Sequence, residues 1–118
     1  MPERDARVPL LHMRDFVRKA LAPTQGKALV DLEADEVLRL ALTHLVELVG
    51  EAAARVPPEV QRSNPQIPWA TIISMRNRLI HGYDYVDYKI LWDTLTLNLP
   101  ELLVKLDGML ADWQDAKS

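Results

Sequence analysis

From Leu91 to Trp113 apolar side chains return every three or four residues: Leu91, Leu95, Leu99, Leu102, Leu106, Met109 and Trp113. At 3.6 residues per turn an α-helix gathers such positions on one face, whereas a strand, with its period of two, would scatter them. The same rhythm runs through nearly the whole chain and narrows the possible folds more than any other feature. Leu10, Met13, Val17 and Leu21 predict a first helix over residues 4–22, which Pro23 and Gly26 end. Pro9 sits near its start, where proline is tolerated only in the first turn, so this helix is expected to begin just before it. Leu38, Leu42, Leu45, Val49, Ala52 and Val56 predict a second helix over residues 33–55. Its first turn is acidic, with Glu33, Asp35 and Glu36, which suits the positive end of a helix dipole.

The stretch PPEVQRSNPQIP carries four prolines and reads as a connection with at most one short helical turn. A third helix is predicted over residues 68–81, with Gly82 as its C-terminal cap. The last runs over residues 86–115. Pro100 lies inside its pattern, removes one backbone hydrogen bond, and is expected to bend or split it near Leu99. No strand signal, repeat or low-complexity tract interrupts this series. The prediction is all-α: an up-and-down antiparallel bundle of four main helices in one domain spanning residues 1–118.

Composition limits the chemistry. With no cysteine, a disulfide framework, a thiolate metal site and a cysteine nucleophile are all excluded. A net charge of −3 does not suit a general nucleic-acid binder, although a local basic patch remains open, with Arg76 and Arg78 as candidates. The charged start, MPERDARVPL, lacks the apolar run of a signal peptide, and no apolar stretch approaches the roughly 18 to 20 residues needed to span a bilayer. A cytoplasmic protein with no membrane partner is expected. Leu97, Leu103 and Val104 lie off the main seam of the last helix; a homodimer covering a second apolar face and a broader internal core explain this excess equally well.

The most reactive side chains crowd into residues 76–83, RNRLIHGY. At 100° per residue Asn77 and His81 stack on one helix face, and Arg76 stands about 140° from His81 with a side chain long enough to swing toward it. A histidine can exchange a proton at neutral pH, and an arginine can grip a phosphate through two parallel hydrogen bonds. Asn77 can orient a phosphate or the imidazole. Such a set can cleave RNA without a metal, the 2′-hydroxyl attacking phosphorus while His81 handles a proton. The same residues also fit a bland reading, since arginine near a helix C-terminus matches the dipole and glycine caps it. His44, Glu47 and Glu51 share one face of the second helix, which could hold a metal but is more simply a solvated face. Glu51 is a candidate partner for Arg76. His12 and His44 read as half-exposed structural residues, Tyr83, Tyr85 and Tyr88 as packing at a loop, and Trp69, Trp92 and Trp113 as core. No glycine-rich phosphate loop, HExxH, EF-hand or nucleophile motif occurs, and no cofactor is called for.

The octapeptide resembles the Arg-x4-His-x-Tyr signature of HEPN-domain toxins of the HepT type. LVELVGEAAARVP is similar to that family's second-helix pattern, which ends in Gly-Glu-Ala. NPQIPWATIISMRNRLIHGYDYVDYKILWDTLTLNLPELL follows its order of Pro-Trp, motif, acidic-aromatic turn and Trp-bearing last helix. The resemblance is close from Leu38 to Leu106 and loose over the first helix. It implies an all-helical homodimer with a composite cleft, acting as a metal-independent ribonuclease. Its partner would be a minimal nucleotidyltransferase, the MNT antitoxin, which silences the toxin by transferring AMP from ATP to the motif tyrosine. Carried over by position, Arg76 and His81 become the catalytic pair, Asn77 the polar residue after the arginine, and Tyr83 the modified hydroxyl. A different reading keeps the fold and drops the catalysis: a helical partner that binds a nucleotide or substrate for the nucleotidyltransferase.

Overall fold

The computed structural model describes residues 3–79 and 86–117, with side chains described over 6–79 and 86–113. Among the described residues the regular elements are helices. They run α1 (Glu3–Leu21), α2 (Leu29–Ala34), α3 (Glu36–Ala54), α4 (Pro58–Ser63), α5 (Trp69–Ile73), α6 (Met75–Leu79), α7 (Tyr88–Asp93) and α8 (Leu99–Lys117). A π-helical turn, Thr94–Asn98, joins α7 to α8.

The long helices α1, α3 and α8 make the bundle, with α1 packed against both of the others. Leu10, Met13 and Val17 of α1, Val46 and Val49 of α3, and Leu99 and Leu106 of α8 are almost wholly removed from water. Each large aliphatic side chain buried this way contributes about 1.5–3 kcal/mol relative to exposure, so the predicted stripes hold the fold together. Trp69 joins this core and donates its indole N–H to the Asn64 carbonyl at 3.0 Å. Trp92 and Trp113 are only half-buried, at the core's edge rather than within it.

Several boundaries differ from the expectations. The first helix, Glu3–Leu21, keeps the predicted span of residues 4–22 to within one residue, but it does not start just before Pro9, which it accommodates as a buried internal residue. The second divides at Asp35, whose carboxylate accepts the Leu38 amide at 3.0 Å and caps α3, while Asp31 caps α2 by accepting the Ala28 amide at 2.8 Å. The third breaks at Ser74, and its described part ends at Leu79. A β-branched run, Thr71, Ile72 and Ile73, has weak helix preference, and Ser74 leaves the helical region with φ −89° and ψ 1°.

The last helix is split near Leu99, as expected of Pro100: a π-helical turn separates α7 from α8. Without an N–H, Pro100 leaves the Thr96 carbonyl unmatched, and its ring crowds that carbonyl. The widened turn at Thr94–Asn98, just before it, absorbs the conflict. The hydroxyls of Thr94 and Thr96 donate back to the Ile90 and Trp92 carbonyls, each at 2.8 Å, in the same stretch.

Candidate active site

The motif begins on α6, a helix of little more than one turn. Met75 and Leu79 are its buried anchors, and Arg76, Asn77 and Arg78 between them are exposed. Two contacts place this short element. Gly50 of α3 lies under α5, where a β-carbon would stand 3.0 Å from the Ile72 carbonyl oxygen and 3.6 Å from that of Ile73. Glycine lets the two backbones come this close without either having to give way. On the other side, the Asp87 amide donates to the Leu79 carbonyl at 2.8 Å, tying the end of α6 to the start of α7. Asp87 also caps α7, its carboxylate accepting the Ile90 amide at 3.0 Å.

Arg76 turns toward α3 and donates its Nε–H to Oε2 of Glu47 at 2.8 Å. This corrects the expected pairing with Glu51, one turn further along α3. Glu51 instead faces the groove between α1 and α3, beside Pro9, His12 and Phe16. The α5–α6 pair lies against α3 at the level of Gly50, and from there Arg76 reaches back to Glu47 rather than forward to Glu51. Arg78 points away from Arg76, into a 160 Å³ groove shared with Asn98 and Lys105. Two positions along a helix amount to about 200° of turn, so the arginines do not form one basic patch.

His81 and Tyr83 lie outside the described residues, as do Gly82 and Tyr85. Of the proposed site residues, then, Arg76 and Asn77 are located, on the exposed surface of α6. His12 and His44 are exposed rather than half-exposed, and the His12 ring leans on Phe16 with centroids 6.2 Å apart. Among the described residues no group of three or more His, Cys, Asp or Glu side chains could hold a metal ion, and Glu47 is already engaged by Arg76. Tyr88 packs beneath the Arg39 guanidinium, 4.8 Å from its ring centroid.

Sequence reasoning missed Glu47 and Gly50 as residues that set the motif's position. Both were in view as part of a helical pattern, but neither spacing nor residue type says which carboxylate of a helix face an arginine from another helix will meet.

A helical bundle with a short, polar, arginine-bearing helix end is the class that fold and site define. The model of the family described as HepT-like, "Ribonuclease HepT-like", matches residues 13–109. The chain belongs to this family of ribonucleases. It is similar to "Probable ribonuclease HepT" of Thermococcus cleftensis, at 35% identity over 79 residues, covering 67% of this chain and 72% of that one. It is also similar to "Putative RNase TTE0752" of Caldanaerobacter subterraneus, at 37% identity over 78 residues, with 66% and 70% covered. "Putative RNase MJ1216" of Methanocaldococcus jannaschii aligns over 112 residues at 26% identity, with 95% and 93% covered. No solved structure matches the chain. Among the described residues no helix is long and apolar enough to cross a membrane.

Proposed function

We propose that this ribonuclease is the toxin of a HEPN–MNT toxin–antitoxin module, a single HEPN-like domain over residues 1–118 that acts in the cytoplasm as a homodimer. It cleaves RNA without a metal, using Arg76, Asn77 and His81. In this reaction the 2′-hydroxyl gives up its proton to solvent water as its oxygen attacks the adjacent phosphorus, and the bond from phosphorus to the 5′-oxygen breaks. The products are a 2′,3′-cyclic phosphate and a 5′-hydroxyl. His81 supplies the proton that the departing 5′-oxygen needs, and the Arg76 guanidinium offsets the charge that grows on the phosphoryl oxygens. Asn77 orients the phosphate.

The observation that carries this reading is Arg76 itself. Its guanidinium is fastened through Nε, and among the described residues its two terminal amino groups have no acceptor. That outer edge is the fork that grips a phosphate. The family match, over residues 13–109, spans the positions of the motif. The purified protein is expected to cleave RNA in the presence of a chelator, and its expression alone to arrest growth. Arg76→Ala and His81→Ala proteins with unchanged helical content should lose both effects. A His81→Asn protein that still cleaves would overturn the catalytic role of the imidazole, whereas a wild-type protein that binds nucleotide but leaves RNA intact would favour a nucleotide-binding subunit.

Neutralisation follows from AMP transfer to Tyr83 by the MNT antitoxin. An AMP there adds bulk and negative charge two residues from His81, where RNA phosphate must approach, and like charge repels it. Tyr83→Phe is expected to keep RNA cleavage and to arrest growth even when the antitoxin is co-expressed. Restored growth in that experiment would rule out Tyr83 as the point of control.

A further inference from the structure

We infer that Glu47 is a positioning residue for RNA cleavage, holding the Arg76 guanidinium in the orientation that presents its outer fork to the scissile phosphate; this rests on the ribonuclease reading of the Arg76 site. The two partners are unequally fixed. The Glu47 side chain is 23% exposed and sits on the long helix α3, whereas the Arg76 side chain is 62% exposed on a helix of five residues. The carboxylate is thus the fixed member and the arginine the one that needs fixing. Free in water, an arginine side chain samples many rotamers, and each phosphate contact would have to overcome that entropy.

The geometry separates holding from binding. Glu47 Oε2 accepts from Nε at 2.8 Å, and no second bond from Arg76 to Glu47 is made. Had the carboxylate taken the terminal amino groups, it would have occupied the fork and competed with substrate. Held by Nε alone among the described residues, the planar guanidinium keeps its direction with its fork clear of Glu47. Among the described residues this is the one ion pair joining α6 to the rest of the molecule.

The carboxylate also has a cost for substrate. Its negative charge lies beside the phosphate site and weakens attraction for RNA. Removing it should therefore affect turnover and binding in opposite directions. A purely structural role predicts no such split.

The test measures kcat and KM on a defined oligoribonucleotide, with the full-length protein. Glu47→Ala should lower kcat by about tenfold to a hundredfold, the range expected when a reacting group is displaced by about an ångström. KM should stay level or fall. Glu47→Gln retains an oxygen that accepts from Nε and is expected to keep kcat within about threefold of the wild-type value, because the hydrogen bond does the orienting. Made in an Arg76→Ala background, Glu47→Ala should cost nothing further, since residues acting through one contact are not additive. Glu51→Ala, one turn away on α3, serves as the control that changes neither constant. The inference is overturned if folded Glu47→Ala retains wild-type kcat, or if its loss adds to that of Arg76→Ala. If Glu47→Ala fails to fold, Glu47→Gln decides: a loss of kcat as large as that of Arg76→Ala would overturn it. Failure of the wild-type protein to cleave, or full activity in Arg76→Ala, would instead remove the underlying site reading and the inference with it.

Discussion

Gly50 and Gly108 both interrupt helical interiors, yet a methyl group at each would meet different surroundings. At Gly108 nothing described lies within 4 Å, so Gly108→Ala gains the intrinsic helix preference of alanine, about 0.8–1.0 kcal/mol. At Gly50 the same gain meets a backbone carbonyl at 3.0 Å, and overpacking of this kind costs about 1–3 kcal/mol. Chemical denaturation should therefore show Gly108→Ala stabilised by about 1 kcal/mol and Gly50→Ala unchanged or less stable. Equal stabilisation of both would mean that α5 does not approach α3 as closely as described. Gly50→Ala should also reduce RNA cleavage, because α6 follows α5 directly and carries Arg76. At this scale the sequence made the candidate arginine and asparagine legible through their residue types and grouping. It left their partners open, because Glu47 and Glu51 occupy the same helix face one turn apart and only the seating of α5 and α6 selects between them.

The helices themselves follow from local chemistry, and so do most of their ends. Asp35 and Asp87 each place a carboxylate oxygen on an amide three residues ahead, at 3.0 Å in both cases. Asp87 has a further role, because its own amide closes onto Leu79 and brings the end of the motif helix to the start of α7. Replacing its side chain leaves that backbone bond in place but frays the first turn of α7. Asp87→Ala is expected to lose about 1 kcal/mol, the usual cost of an N-cap, with Asp35→Ala as a like-sized reference. Cleavage should fall in Asp87→Ala and not in Asp35→Ala, because only the former borders the motif; thermal melts paired with an RNA assay check both. The periodicity gave the helical type of the elements and located the three long ones, but the predicted third main helix is two five-residue helices. It did not give the break at Ser74, since the apolar spacing runs through a β-branched segment whose weak helix preference matters only once α3 fixes its path.

Across the whole molecule, the buried stripes of α1, α3 and α8 account for one apolar face of each helix, and some large side chains remain outside. Leu97 is 65% exposed and Val104 73% exposed, seven residues apart and so on nearly the same side of the last helical segment. They are the residues expected to be covered in a homodimer. If the proposed homodimer uses this face, Leu97→Asp combined with Val104→Asp should shift the protein from dimer to monomer in light scattering or sedimentation, with helical content kept. Cleavage should fall with the dimer if the cleft draws on both chains, and a dimer that survives the double substitution would move the interface elsewhere. Surface ion pairs matter less at this scale. Asp107 meets both Arg14 and Arg18 across α1 and α8, but all three side chains are partly exposed, and such pairs contribute no more than about 1 kcal/mol. What the sequence determined alone was the helical class, the order and approximate extent of the long helices, the interruption before Pro100 and the residues where chemistry could gather. These depend on periodicity, proline and capping, which act within a few residues along the chain. The tertiary structure alone decided that Arg76 is held by Glu47 and that Gly50 lets the motif helix sit where it does. Those are contacts between segments distant in sequence, and their partners are chosen only when the helices pack.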